Sequence, residues 1–549
     1  MIKRFLPLTL ISLIFSGISG VFACTNLIVG KKASADGSVI VSYNADSFGM
    51  YGFLYHSPAA THQQGEMLKV YEWDTGKYLG DIAQVEHTYL VNGNMNEFQV
   101  TIGETTFGGR EALVDTTAVV DYGSLIYIAL QRSRSAKEAI KVMTDLVKEY
   151  GYRSEGETFT VADPNEAWIL EMVGKGPGVR GALWVAVRVP DDCIAAHANQ
   201  SRIHQFNMDD KENCLYSPDV VSYAREKGYF TGMNKDFSFA DAYCPADFGA
   251  LRFCEARVWG FYRKYDSSMD AYLSYIKGES KVPMPLFIKP SRKLSVQDIQ
   301  NDMRDHYEGT ELDLTKDISA GPYDSPYRPS PLSFQVDSVK CFNERPVSTQ
   351  QTGFTFVAQM RSTLPNAIGG VLWFGVDDAN MIAYTPVYCC NTKVPDCYAS
   401  GKGDCITFSW DSAFWICNWV SNMIYPRYSL MIDDLRKVQN RLETKFHTDQ
   451  QEIEAKALAL NTEHPEQAKE LLTNYTNETA MNAFTEWKHL GEYLVVKYND
   501  SVIKKENDAK MQYSETGLCP PPTRPGYPVK FQREILKQTG NRYVEKSVK

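Results

Sequence analysis

The chain has 549 residues, with 67 acidic against 57 basic side chains and a formal charge of −10. It is 44% hydrophobic and 23% charged, which excludes a disordered or collagen-like chain. The acidic balance argues against a nucleic-acid binder, which presents a basic face.

The chain opens with Lys3 and Arg4, followed by the apolar run from Leu8 to Phe15 and then Gly17 and Gly20. Val21-Phe22-Ala23 completes the three-part layout of a secretory signal, so residues 1–23 are read as a cleaved leader. A membrane span needs about 20 clean apolar residues. No segment meets that, and no span is expected. The expected location is periplasmic or extracellular.

Cleavage after Ala23 makes Cys24 the first mature residue. A Cys at that place has two mutually exclusive chemistries. Lipoprotein processing blocks the thiol and the amine, whereas an N-terminal nucleophile needs both free. The bulky Phe22 before the cut disfavours lipidation, and a lipid-anchored form stays as the alternative.

The run CTNLIVG from Cys24 reads as a strand and Val39 to Tyr43 as its return, joined through the turn pair Asp36-Gly37. Ser135 to Glu138 reads as a capping box opening a helix with Ile140, Met143, Val147 and Tyr150 on one face and Gly151 as its stop. Strands are expected over 159–162, 167–172 and 183–189. A short helix over 218–227 takes Ser217 as its cap. The run 321–333 reads as loop, with strands again at 355–359 and 371–376. Beyond Ser412 the pattern turns helical: Leu435, Val438, Leu442 and Phe446 form one stripe, and Pro465 to Tyr498 reads as two or three further helices. The tail after Cys519 is Pro-rich and basic.

The twelve cysteines include no C-x-x-C pair. Local bridges among Cys389, Cys390, Cys397, Cys405 and Cys417 and reduced core thiols both remain open, with zinc less favoured. There is no H-E-x-x-H, no G-x-S-x-G and no phosphate loop. No metal or other cofactor is expected, and Cys24 stands out by elimination.

Several blocks in order carry a resemblance. CTNLIVGKKASADGS from Cys24 resembles the mature start of the N-terminal-nucleophile cysteine dipeptidases, relatives of penicillin V acylase, bile-salt hydrolase and the secernins. Asn94 to Glu97, Gly103 to Thr106, Asp163 to Glu171, Trp184 to Asp191, Ala198 to Ile203, His306 to Thr310 and Gly369 to Gly375 are similar to further blocks of that family. The resemblance implies an α+β fold, a four-layer αββα sandwich, with residues 24–411 as the catalytic domain and 412–549 as a mainly helical extension.

It also implies an exported, metal-independent dipeptidase in which the chain's own α-amine serves Cys24 as base. The alternatives are an amidase for non-peptide amides of the bile-salt or penicillin type and a non-catalytic surface lipoprotein. An amine of pKa about 7.7–8.0 and a thiol near about 8.5 need only modest tuning for this chemistry. By the same resemblance Asp46 orients the amine, Asn199 donates to the oxyanion and Thr106 stands near a second oxyanion position. Tyr43 occupies the place of an expected Arg. The late family arginine is Arg257, with Arg252 in reserve. Glu97, Glu104, Trp168 and Glu171 match family blocks without a catalytic role. The expected partners are short-peptide substrates, and the oligomeric state stays open between monomer and homo-oligomer.

Overall fold

The computed structural model describes residues 24–507 and 510–547. The leader expected over 1–23 lies outside the described residues.

The long strands are β1 (Thr25–Val29), β2 (Val39–Asp46), β3 (Thr101–Gly108), β4 (Gly156–Ala162), β5 (Ala167–Gly174), β6 (Ala182–Arg188), β7 (Ile194–His197), β8 (Thr352–Met360), β9 (Gly370–Val376) and β10 (Thr385–Tyr388). The main helices are α1 (Tyr122–Arg132), α2 (Ala136–Tyr150), α3 (Ala256–Arg263), α4 (Ala413–Ile424), α5 (Tyr428–Asn461) and α6 (Pro465–Tyr498). One sheet runs Phe287–Ile288, β7, β1, β2, β8, β9, β10. The second runs Cys214–Tyr216, β6, β5, β4, β3 and then three two-residue strands. Mixed sheets and helices give an α+β chain with a long helical C-terminal region.

The expected hairpin is present: β1 and β2 pair antiparallel with Asn26 opposite Tyr43, and Gly37 turns the chain at φ 78. Alternation then decides what each residue meets. Leu27, Val29 and Ile40 pack with α3, α5 and α6, whereas Cys24, Ile28, Val41 and Tyr43 share a core with Ile169, Val173, Leu183 and Val185 of the second sheet. The opposite face of that sheet, Phe159, Val161, Trp168 and Leu170, is covered by Ile140, Met143 and Val147 of α2. Cys24 therefore enters the fold on the side where the sheets meet.

Three local expectations change. Ser135 caps α2 by accepting from Glu138 N at 3.2 Å, but the Glu138 carboxylate turns back to Arg134 N at 2.7 Å, one residue before the cap. Ser217 caps no helix. Its hydroxyl accepts from Trp184 N at 3.2 Å, and the helix Val220–Glu226 begins behind Asp219. Pro465 to Tyr498 is one helix of 34 residues, not two or three. Its only proline stands in the first turn, where no helical N–H is lost. Gly491 lies inside the helix where a Cβ would come within 2.2 Å of the Trp419 ring, so the position takes a glycine.

All twelve cysteines are free thiols. The C-terminal tail forms an exposed helix, Val529–Thr539, tied back where Gly526 O accepts from the Tyr323 hydroxyl at 3.1 Å. Among the described residues no helix is long and apolar enough to cross a membrane.

Candidate active site

Cys24 stands immediately before β1, and its side chain is 2% exposed. The thiol donates toward Glu104 Oε1 at 3.3 Å, and the Tyr43 hydroxyl lies 3.6 Å from the sulfur. Tyr43 also donates to Glu104 Oε1 in a short bond. β1 and β3 can approach this closely because residue 103 is glycine: a Cβ there would lie 2.2 Å from Asn26 Oδ1. Asn26 Nδ2 fastens the two strands by donating to Glu104 O at 2.7 Å.

Arg257 is fully buried on α3, just after the wide turn Ala250–Glu255. Its Nε donates to Phe253 O at 2.6 Å. One terminal nitrogen donates to Cys24 O at 2.6 Å and Thr25 Oγ1 at 2.8 Å. The other donates to Ala198 O at 3.1 Å and Asn199 Oδ1 at 2.9 Å. The guanidinium thus joins the start of β1 to the loop after β7. Burial, and then the charge of Arg345, push its pKa down to about 10, which leaves it cationic near neutral pH.

Asn199 sits in the left-handed region at φ 64, which asparagine tolerates better than most residues. Its Nδ2 donates to Thr106 O at 2.8 Å. The next turn is pinned by Glu171, which accepts from Ser201 Oγ at 2.5 Å, Arg202 N at 2.6 Å and Ile203 N at 3.2 Å. Burial raises the Glu171 carboxyl to about 7 against the pull of these donors.

Asp46 closes β2, fully buried. Its carboxylate accepts from Arg345 in a short bond and from Thr352 Oγ1 at 2.6 Å. Burial raises its pKa although Arg345 pulls it down, and its main chain reaches the Cys24 sulfur. The other two candidates are turned elsewhere. The Thr106 hydroxyl donates to Glu157 Oε2 at 3.0 Å, and Arg252 is engaged in an ion pair with Glu344. Cys24, Asn199 and Arg257 thus form one bonded cluster, with Asp46 beside it.

The thiol differs from its sequence-level expectation. Burial, then the charges of Glu104 and Asp46, hold it well above its ordinary pKa rather than near neutrality. Sequence reasoning assigned Glu104 no role and passed over Glu157 and Arg345. A signal existed for the first two: G-E-T recurs at 103–105 and 156–158, placing a carboxylate inside each of two otherwise uncharged strands.

Two cavities adjoin the cluster. One, of about 740 Å³, is lined by Phe107, Arg110, Gln200 and Tyr229, the other, of about 480 Å³, by Asp74, Thr106, Tyr122 and Glu157. Asn199 and Cys254 line both. Burial, then the charges of Asp121, Glu104 and Glu72, raises Asp74 to about 6. Five carboxyl residues, Glu72, Asp74, Asp121, Glu155 and Glu157, against Arg153 make the second cavity predominantly acidic. Among the described residues no group of three or more His, Cys, Asp or Glu side chains is arranged to hold a metal ion.

Comparison with known proteins adds the remaining facts. Residues 23–441 match the family described as peptidase family C69. A protein of Salmonella dublin named probable dipeptidase is 31% identical over 392 residues, covering 68% of this chain and 82% of its own. A probable dipeptidase of Latilactobacillus sakei is 25% identical, over 83% of this chain and 93% of its own. Probable dipeptidase B of Lactococcus lactis is 24% identical, over 84% and 93%.

Proposed function

The chain belongs to peptidase family C69 and is a cysteine-type dipeptidase, and from that premise we propose that it is exported and works through a thioester on Cys24 once that residue is N-terminal. The observation that carries the reading is the Arg257 guanidinium, which binds Cys24 O and Asn199 Oδ1 together. A group so placed holds a nucleophile and an oxyanion donor in fixed relation.

In this reaction the α-amine of Cys24 takes the thiol proton, and the thiolate attacks the peptide carbonyl. Asn199 donates to the oxygen as it gains charge. The C–N bond breaks, the ammonium of Cys24 returns the proton to the leaving amine, and water hydrolyses the thioester. Arg257 positions both partners, and Asp46, held by Arg345, steadies the end of β2 beside the sulfur. The negative cavity suits the ammonium end of a short peptide. Two sheets sharing a core, with helices on their outer faces, suit the αββα sandwich of N-terminal-nucleophile hydrolases. Residues 412–549 are read as an extension that covers one outer face of the catalytic domain 24–411.

The deciding experiment is the intact mass of the purified mature protein combined with inhibition. The expected result is a free Cys24 at the N-terminus, dipeptide hydrolysis unaffected by EDTA, and loss of activity on alkylation of Cys24. A diacylglyceryl-modified Cys24 in the active population, or activity removed by EDTA and restored by zinc, would overturn the mechanism. Asn199→Ala is expected to lower turnover by about 10²-fold, the usual effect of losing one oxyanion donor. Alkylation of Cys24, which builds no tetrahedral oxyanion, should keep its parental rate. Slowing of both reactions alike would remove Asn199 from the oxyanion role.

A further inference from the structure

Glu104, at the Cys24 sulfur, and Glu157, behind it, are buried carboxyl groups, 2% and 0% exposed. They lie on paired strands. Thr106 of β3 stands opposite Glu157 of β4, and Glu104 lies two residues back on the same face, so the carboxyls are diagonal neighbours. Glu104 Oε1 accepts from the Cys24 thiol and from Tyr43, and Glu157 Oε2 accepts from Thr106. The remaining oxygens, Glu104 Oε2 and Glu157 Oε1, are buried and have no hydrogen-bond donor among the described residues.

Two ionised carboxylates in that position would repel each other and leave two acceptors unsatisfied. A single proton between them removes both penalties. Glu104 Oε1 already accepts two donors whereas Glu157 accepts only the Thr106 hydroxyl, and burial with the neighbouring Glu104 pushes the Glu157 carboxyl up, so the proton is placed on Glu157. Other titratable or charged groups around the three residues are Tyr43 and Asp46 on β2, Tyr122 and Tyr127 on α1, Asp74, Tyr152 and Arg153 on loops, Arg257 on α3 and, in the mature protein, the Cys24 α-amine. Of the side-chain cations, Arg153 pairs with Glu72 and Arg257 binds the main chain of Cys24, so neither engages Glu104 or Glu157.

We propose that Glu104 is a positioning residue of the reaction: its carboxylate aims the Cys24 S–H and sets the pH at which it ionises, with Glu157 as the protonated partner that donates to it. In the attack step the S–H bond breaks and its proton becomes an N–H of the Cys24 amine. The proton on Glu157 does not move. Glu104 thus keeps the thiol oriented and unreactive until the amine acts.

The inference rests on Cys24 as nucleophile, and its test separates the two. The pH dependence of iodoacetamide alkylation of Cys24 is followed by mass spectrometry in the mature protein, beside dipeptide hydrolysis. Glu104→Gln removes a negative charge next to the sulfur, so the alkylation midpoint should fall by about one pH unit or more, with kcat reduced and KM little changed. Glu157→Gln stays neutral and can still donate to Glu104, so its midpoint should match the parent. Tyr43→Phe removes the hydroxyl that donates to Glu104 and leaves the carboxylate's charge less compensated beside the sulfur, so its midpoint should rise, which keeps the test open if Glu104→Gln does not fold. A parental midpoint in Glu104→Gln or in Tyr43→Phe overturns the proposal. A fall in Glu157→Gln as large as in Glu104→Gln overturns the assignment of the proton. Full activity of Cys24→Ala would instead overturn the nucleophile itself.

Discussion

Cys24→Ser is expected to lower dipeptide hydrolysis by about 10³-fold or more, the usual result of removing a catalytic nucleophile. The substitution keeps the α-amine and nearly the same shape. What it removes is the readily ionised sulfur, because a hydroxyl stays protonated where a thiol partly ionises. The surroundings sharpen the loss. Burial and the charges of Glu104 and Asp46 already resist a thiolate at this position, and an alkoxide is far harder to form. Measuring kcat/KM on an alanine dipeptide in parent and variant decides the matter. A variant within tenfold of the parent would place the chemistry on another residue.

Arg345→Met is expected to cost about 3–5 kcal/mol of folding stability near pH 8, the usual cost of leaving one partner of a buried ion pair alone. Arg345 and Asp46 are 4% and 0% exposed, and with the guanidinium gone the Asp46 carboxylate keeps the Thr352 hydroxyl and the more distant charge of Arg257. The pH dependence follows from the direction of the shift. The Asp46 carboxyl is raised already in the parent and rises further when Arg345 is lost. A carboxyl raised in the folded state binds its proton there more readily than in the unfolded chain. Its stabilising contribution is therefore full below the unfolded value and disappears as pH climbs through the folded one. The deficit of Arg345→Met should accordingly shrink from pH 8 toward pH 5, and adding Asp46→Asn should recover much of it. Urea unfolding at the two pH values measures both effects. A deficit below about 1 kcal/mol, or one independent of pH, would show that the pair behaves as an exposed one.

Local signals read from the chain correspond to structure wherever the deciding contacts span few residues. The β1–β2 hairpin with its turn at Gly37, the Ser135 cap of α2 and its stop at Gly151, and the strands around Asp163-Pro164 all form as their residue patterns imply. Where the deciding contact is distant, local reading fails. Ser217 carries the residue type of a cap, yet Trp184 on another strand takes its hydroxyl. Pro465 to Tyr498 reads as two or three helices, yet it forms one because packing against α5, α4 and β10 holds it continuous.

The candidate site divides in the same way. The sequence by itself determined the place of Cys24 after a leader-like segment, and alternation along CTNLIVG determined which face its side chain shares with Asn26 and Ile28. The family resemblance preferred Arg257 and kept Arg252, five residues before it, in reserve, without showing what either would meet. Tertiary structure separates them: one meets Glu344, and the other reaches Cys24 from 233 residues away. Nor could the sequence pair Arg345 with Asp46 across 299 residues, or bring Glu104 to the sulfur with Glu157 as its cross-strand neighbour. Backbone periodicity and turn chemistry act over a few residues and are written locally. The ionisation of a buried thiol depends on every charge within several ångströms, and only the packing of two sheets decides which charges those are.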